Sequence, residues 1–71
     1  MFSENFKRLR LRSGLSQKNV AELLGLSHQS VSNWEKGETL PSIEYLPTLS
    51  ELFTCNINEF FTSEEKPQEN P

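Results

Sequence analysis

Apolar residues along this chain recur three and four positions apart, in short runs broken by Ser, Gly, Asn and Pro, which predicts a set of short amphipathic helices. Phe2, Phe6 and Leu9 mark the inner stripe of a first helix, capped near Ser3, with Lys7, Arg8 and Arg12 outside it. Leu11 points away from that stripe, so it is either exposed or covered by the C-terminal segment. Ser16 stands where an N-cap belongs, and Val20, Leu23 and Leu24 supply the apolar period of a second helix. Ala21 beside that stripe allows a neighbouring helix to approach closely. Gly25 follows the last periodic residue, where a left-handed backbone is cheap for glycine. Leu26 plugs the corner, and Ser27 caps a third helix that runs to Lys36 before Gly37 stops it.

The later chain reads as scaffold. Ser42 caps a fourth helix whose buried side is Ile43, Leu46, Leu49, Leu52 and Phe53. Pro47, about one turn in, removes a helical hydrogen bond and is expected to tighten or bend the start. Asn56 followed by Glu59 has capping-box spacing for a short last helix carrying Phe60 and Phe61. Residues 62–71, TSEEKPQENP, have no apolar content and are expected to form an acidic disordered tail or linker beyond a domain at 1–61.

The third helix holds the most informative surface. Unrolled at ~100° per residue, Val31, Trp34 and Ser30 fall on one side. His28, Gln29, Ser32, Asn33 and Lys36 fall on the other. A plain surface helix is one reading of that polar arc, but such a helix would favour Glu, Lys and Arg. This arc carries amides, hydroxyls and an imidazole, which both donate and accept hydrogen bonds. Gln and Asn can pair bidentately with adenine in the major groove of DNA, and Ser suits a base or a phosphate.

Residues 16–37, SQKNVAELLGLSHQSVSNWEKG, resemble the helix-turn-helix of the phage-repressor and Cro-type regulators, the lambda-repressor-like or XRE family. The matching positions are Gln17, Val20, Ala21, Leu24, Gly25, Leu26, Val31 and Trp34. Arg10 with Gly14-Leu15 on one side, and Pro41-Ser42 and Leu49 through Phe61 on the other, extend the likeness over about residues 2–61. The resemblance implies an all-α fold, a compact five-helix DNA-binding domain with the helix-turn-helix as helices 2 and 3. It also implies a transcriptional regulator, expected to be a repressor that binds a palindromic operator as a homodimer. His28, Gln29, Ser32 and Asn33 are then the base-reading residues, and Gln17, Lys18, Ser27, Lys36 and Thr39 the phosphate-binding ones. Ala21, Gly25 and Trp34 are structural. Arg10 and Glu35 are, by position alone, either unrelated surface charges or a pair; the resemblance implies an ion pair bracing the recognition helix.

Charge and composition narrow the alternatives. The 71 residues carry a net charge of −3, which looks wrong for a DNA binder. The first 36 residues, however, hold six Lys and Arg against three Glu, net +3, and residues 37–71 hold Lys66 against seven Glu, net −6. The motif lies in the basic half, and steering follows the local field. The acidic half offers a surface for a protein partner, which leaves an antitoxin that autoregulates its operon, or a protein-interaction module on the same fold, as alternatives. Leu40, Tyr45, Ile57 and Phe61 are candidates for a dimer surface or for the core. A single cysteine, Cys55, precludes an internal disulfide, no apolar run approaches the ~20 residues of a membrane span, and the N-terminus lacks a secretory apolar region. A cytoplasmic protein without membrane, metal or cofactor is expected. With one histidine, one cysteine, no aspartate and no glycine-rich phosphate loop, catalysis is not expected.

Overall fold

The computed structural model describes residues 2–62, and the tail expected at 62–71 lies outside them from residue 63 onward. The described chain is helical: α1 (Phe2–Arg12), α2 (Gln17–Leu24), α3 (His28–Lys36), a 3-10 turn (Ile43–Tyr45), α4 (Leu46–Leu52) and a second 3-10 turn (Ile57–Phe60). The five helices expected from the sequence are therefore four α-helices, with the fifth element a single 3-10 turn. α3 packs on both α1 and α2, while the last 3-10 turn closes against α1 and α4.

Seven side chains, Phe6, Leu9, Val20, Val31, Leu49, Phe53 and Phe60, have no solvent exposure and form the centre of the core. Phe6 is its hub: Trp34 and Phe53 meet its ring edge-on, at 5.8 and 5.2 Å between centroids. Such aromatic pairs contribute about 0.5–1.5 kcal/mol beyond the area they bury.

Several expectations need correction. Ser3 is not the cap of α1, which already begins at Phe2. Leu23 is 59% exposed, because the buried line of α2 runs through Val20, Ala21 and Leu24. On a helical wheel Leu23 stands roughly 110° from the centre of that line. Ile43 is 81% exposed: it precedes α4 proper, and Tyr45 packs near Trp34 instead, their ring centroids 6.3 Å apart. Ser42 precedes that turn without a side-chain capping bond. Leu52 and Tyr45 are half-buried, and Phe61 and Leu11 are exposed.

The 3-10 turn before α4 is the local answer to Pro47. Proline has no amide hydrogen, so it sits in the first turn of α4, where that donor would have no helical partner. At the C-terminal turn the Glu59 carboxylate accepts from the Asn56 amide at 3.1 Å, as the capping spacing predicts. Asn5 has no counterpart in the sequence reading. It is buried on α1 and donates to the carbonyls of Phe60 and Thr62, at 2.9 and 2.7 Å, stitching the last turn to the first helix.

Candidate nucleic-acid interface

Each end of the two central helices is closed by its own neighbours. Ser16 Oγ accepts from the Asn19 amide at 2.9 Å, and Asn19 Oδ1 accepts from the Ser16 amide at 3.2 Å, a reciprocal box that satisfies two otherwise orphaned donors. Gly25 ends α2 in the left-handed region, φ 73°, and the Leu26 amide then donates back to the Ala21 carbonyl at 2.9 Å. Ser27 caps α3 through the Ser30 amide, and Gly37 ends it at φ 79°. These bounds match the sequence expectation residue for residue. α2 packs on α3, and Val20, Ala21 and Val31 are buried in the shared core.

Because Val31 and Trp34 face the core, the opposite side of α3 faces outward. His28, Gln29 and Lys36 are exposed there, and Ser32 and Asn33 are half-buried. Gln29 Nε2 donates to Asn33 Oδ1 at 2.9 Å, so the two amides stand side by side one helical turn apart. Of the residues expected at phosphates, Lys18, Ser27, Lys36 and Thr39 are exposed. Ser27 Oγ lies 3.2 Å from Ser30 Oγ in addition to capping α3. Gln17 is half-buried and joins a hydrogen-bonded chain.

That chain starts at Arg10. Its Nε and Nη2 both donate to the Glu35 carboxylate, the latter at 3.1 Å, and its Nη1 donates to the Leu15 carbonyl at 2.7 Å. The two side chains are 9% and 5% exposed, so this is a buried ion pair and not two surface charges. Glu35 Oε1 also accepts from Gln17 Nε2 at 3.0 Å. Gln17 Oε1 in turn meets His28 Nε2 at 2.9 Å. One continuous path therefore joins α1, the buried face of α3, the start of α2 and the first residue of α3. The sequence reading placed Gln17 and His28 on separate tasks and missed their contact. The only sequence signal was that each opens a helix on either side of the Gly25 turn.

Cys55 lies after α4, away from His28. Burial, chiefly, and then Glu59 push its thiol above the ordinary range, with Arg12 opposing them. Among the described residues no group of three His, Cys, Asp or Glu gathers as a metal site would require. No described helix is long and apolar enough to cross a membrane.

A glycine-hinged helix pair that turns a row of neutral hydrogen-bonding groups outward defines a helix-turn-helix. The family described as Helix-turn-helix matches residues 6–60, and the chain belongs to it, in the XRE branch of transcription regulators. It is similar to the HTH-type transcriptional regulator PuuR of Escherichia coli, 36% identical over 66 residues, covering 93% of this chain and 36% of that protein. It is also similar to the HTH-type transcriptional activator BcrR of Enterococcus faecalis, 36% identical over 64 residues, covering 90% of this chain and 31% of that protein. The repressor protein CI of Enterobacteria phage phi80 is 38% identical over 66 residues, covering 93% of this chain and 28% of that protein. The chain thus spans about a third of the length of these curated relatives. No solved structure matches it.

Proposed function

We propose that this domain binds double-stranded DNA sequence-specifically and regulates transcription as a repressor, two copies sitting on a near-palindromic operator. The observation that carries this reading is the hydrogen-bonded amide pair of exposed Gln29 and half-buried Asn33, on a helix whose inner side is anchored by Val31 and Trp34. A helix so held presents its outer face to the major groove at a fixed angle. His28, Gln29, Ser32 and Asn33 read base edges. Gln17, Lys18, Ser27, Lys36 and Thr39 hold phosphates and set the register. Half-sites lie about one turn of DNA apart, roughly 34 Å. Exposed Leu40, Ile57 and Phe61 are the apolar candidates for contact between the copies.

Sites selected from a random DNA pool test this directly. A half-site repeated as a near-palindrome is expected, and Gln29→Ala is expected to weaken binding by about 1–3 kcal/mol while relaxing preference at one base position. An unchanged ranking of operator variants in Gln29→Ala overturns the assignment of readers. Affinity for random DNA that does not fall with salt overturns DNA binding itself, since neutralised phosphates impose a slope of about −0.9 each.

A further inference from the structure

We propose that the Glu35–Gln17 contact fixes the tautomer of His28, so that its uncharged ring carries hydrogen on Nε2 and reads, through a bare Nδ1, a base that presents its amino group in the major groove. This rests on the DNA-reading function proposed above and narrows it to a chemical preference at one base pair.

The Glu35 carboxylate, held by Arg10, has only lone pairs to offer. The Gln17 atom that meets it at 3.0 Å must therefore be the amide nitrogen. That orientation turns the Gln17 carbonyl oxygen toward His28 Nε2, 2.9 Å away. A carbonyl oxygen can only accept, so Nε2 must donate. A neutral imidazole carries one hydrogen, which leaves Nδ1 an acceptor. Among the described residues nothing donates to Nδ1, and His28 is exposed at the start of α3, the end of a recognition helix that meets the bases.

In the major groove an acceptor finds its partner at the N6 amino group of adenine or the N4 amino group of cytosine. Guanine O6 and N7 and thymine O4 are acceptors themselves and repel a bare ring nitrogen. His28 thus selects adenine or cytosine at its position, the opposite polarity from an arginine placed there. Gln17 is a positioning residue in this scheme. Its second amide hydrogen remains available to a phosphate, so one side chain can hold the backbone and set the polarity of the reader beside it.

His28 is the only histidine, so its two ring nitrogens are identifiable in a nitrogen-15 spectrum of the whole chain without further assignment. In mildly alkaline buffer the spectrum is expected to show Nε2 protonated and Nδ1 bare. Protonation at Nδ1 overturns the tautomer, and this result does not depend on DNA. A selected operator, varied through all four bases at each position, then tests the reading. His28→Ala is expected to flatten one position by about five- to tenfold, and replacing the adenine or cytosine of that pair by an analogue without its major-groove amino group is expected to cost the parent protein a similar factor and His28→Ala nothing. Gln17→Met is expected to weaken the same preference while leaving the ranking at the position read by Gln29 intact. An analogue that costs the parent protein nothing, or costs it and His28→Ala alike, or no position flattened by His28→Ala, overturns the proposal. Failure of every DNA to bind specifically overturns the function beneath it and leaves the tautomer result standing.

Discussion

Removing one member of the Arg10–Glu35 pair is predicted to be far worse than removing both. Glu35→Leu leaves a guanidinium only 9% exposed with no countercharge, and Arg10→Met leaves a carboxylate 5% exposed and held by Gln17 alone. Uncompensated burial of that kind costs about 3–5 kcal/mol. A domain of this length has a total stability of about 4–10 kcal/mol, so either single variant loses a large fraction of it. In the double variant no charge is stranded, and the apolar replacements fill the same space. What remains is the Leu15 carbonyl and the Gln17 amide, each without its former partner, at roughly 1 kcal/mol apiece. The summed single losses should then exceed the double loss by at least about 4 kcal/mol. Urea unfolding followed by Trp34, the one tryptophan and 5% exposed, measures all four proteins. With a slope of about 1 kcal/mol per molar urea, each single variant moves the midpoint down by about 3 M or is unfolded from the start. Additive losses, or single losses below about 1 kcal/mol as for exposed pairs, refute the reasoning.

Three further outcomes follow from individual contacts. Asn5→Ala strips the Phe60 and Thr62 carbonyls of their donor, so a loss of about 2–3 kcal/mol is expected together with faster hydrogen exchange in residues 57–62; an unchanged melting temperature contradicts it. Gly25→Ala places a Cβ where no atom lies within 4 Å, so its cost is that of the left-handed backbone alone, about 1–2 kcal/mol, and Gly25→Asn should cost less. Thermal unfolding of the two variants checks that order. The raised Cys55 thiol keeps its proton in the folded chain at pH values where the unfolded chain has lost it. Stability from this source is therefore full below the unfolded thiol's range and erodes as pH rises through the folded value. Alkylation at mildly alkaline pH should be slower in the native protein than in urea, and Glu59→Gln should narrow the gap; equal rates would contradict the shift.

The helix-turn-helix was legible because its punctuation is local. Ser16, Gly25, Ser27 and Gly37 each act on backbone groups within four or five residues, and all four terminate helices where expected. The outward placement of His28, Gln29 and Lys36 was legible too, since Val31 and Trp34 left only one side free. Leu23 and Ile43 were misread because periodicity finds a stripe but not which edge of it a neighbour covers. Asn5 was missed because its value depends on two carbonyls more than fifty positions away. It does stand one helical turn before Leu9, an uncharged amide at the border of an apolar stripe. The Gln17–His28 contact spans eleven positions and crosses the turn, so no spacing rule within one helix could reveal it.

The Gln29–Asn33 bond has a consequence for how such a domain changes its target. Among the described residues the two side-chain amides hydrogen-bond only to one another, so either can be exchanged with little effect on folding. His28 is tethered through Gln17 to the ion pair that braces the helix, and changes there reach into the frame. On the proposed reading, in which Gln29 and Asn33 meet bases, retargeting to a new operator is therefore easiest at their letters of the half-site. The letter assigned to His28 should drift more slowly, because its spelling and the domain's integrity share parts.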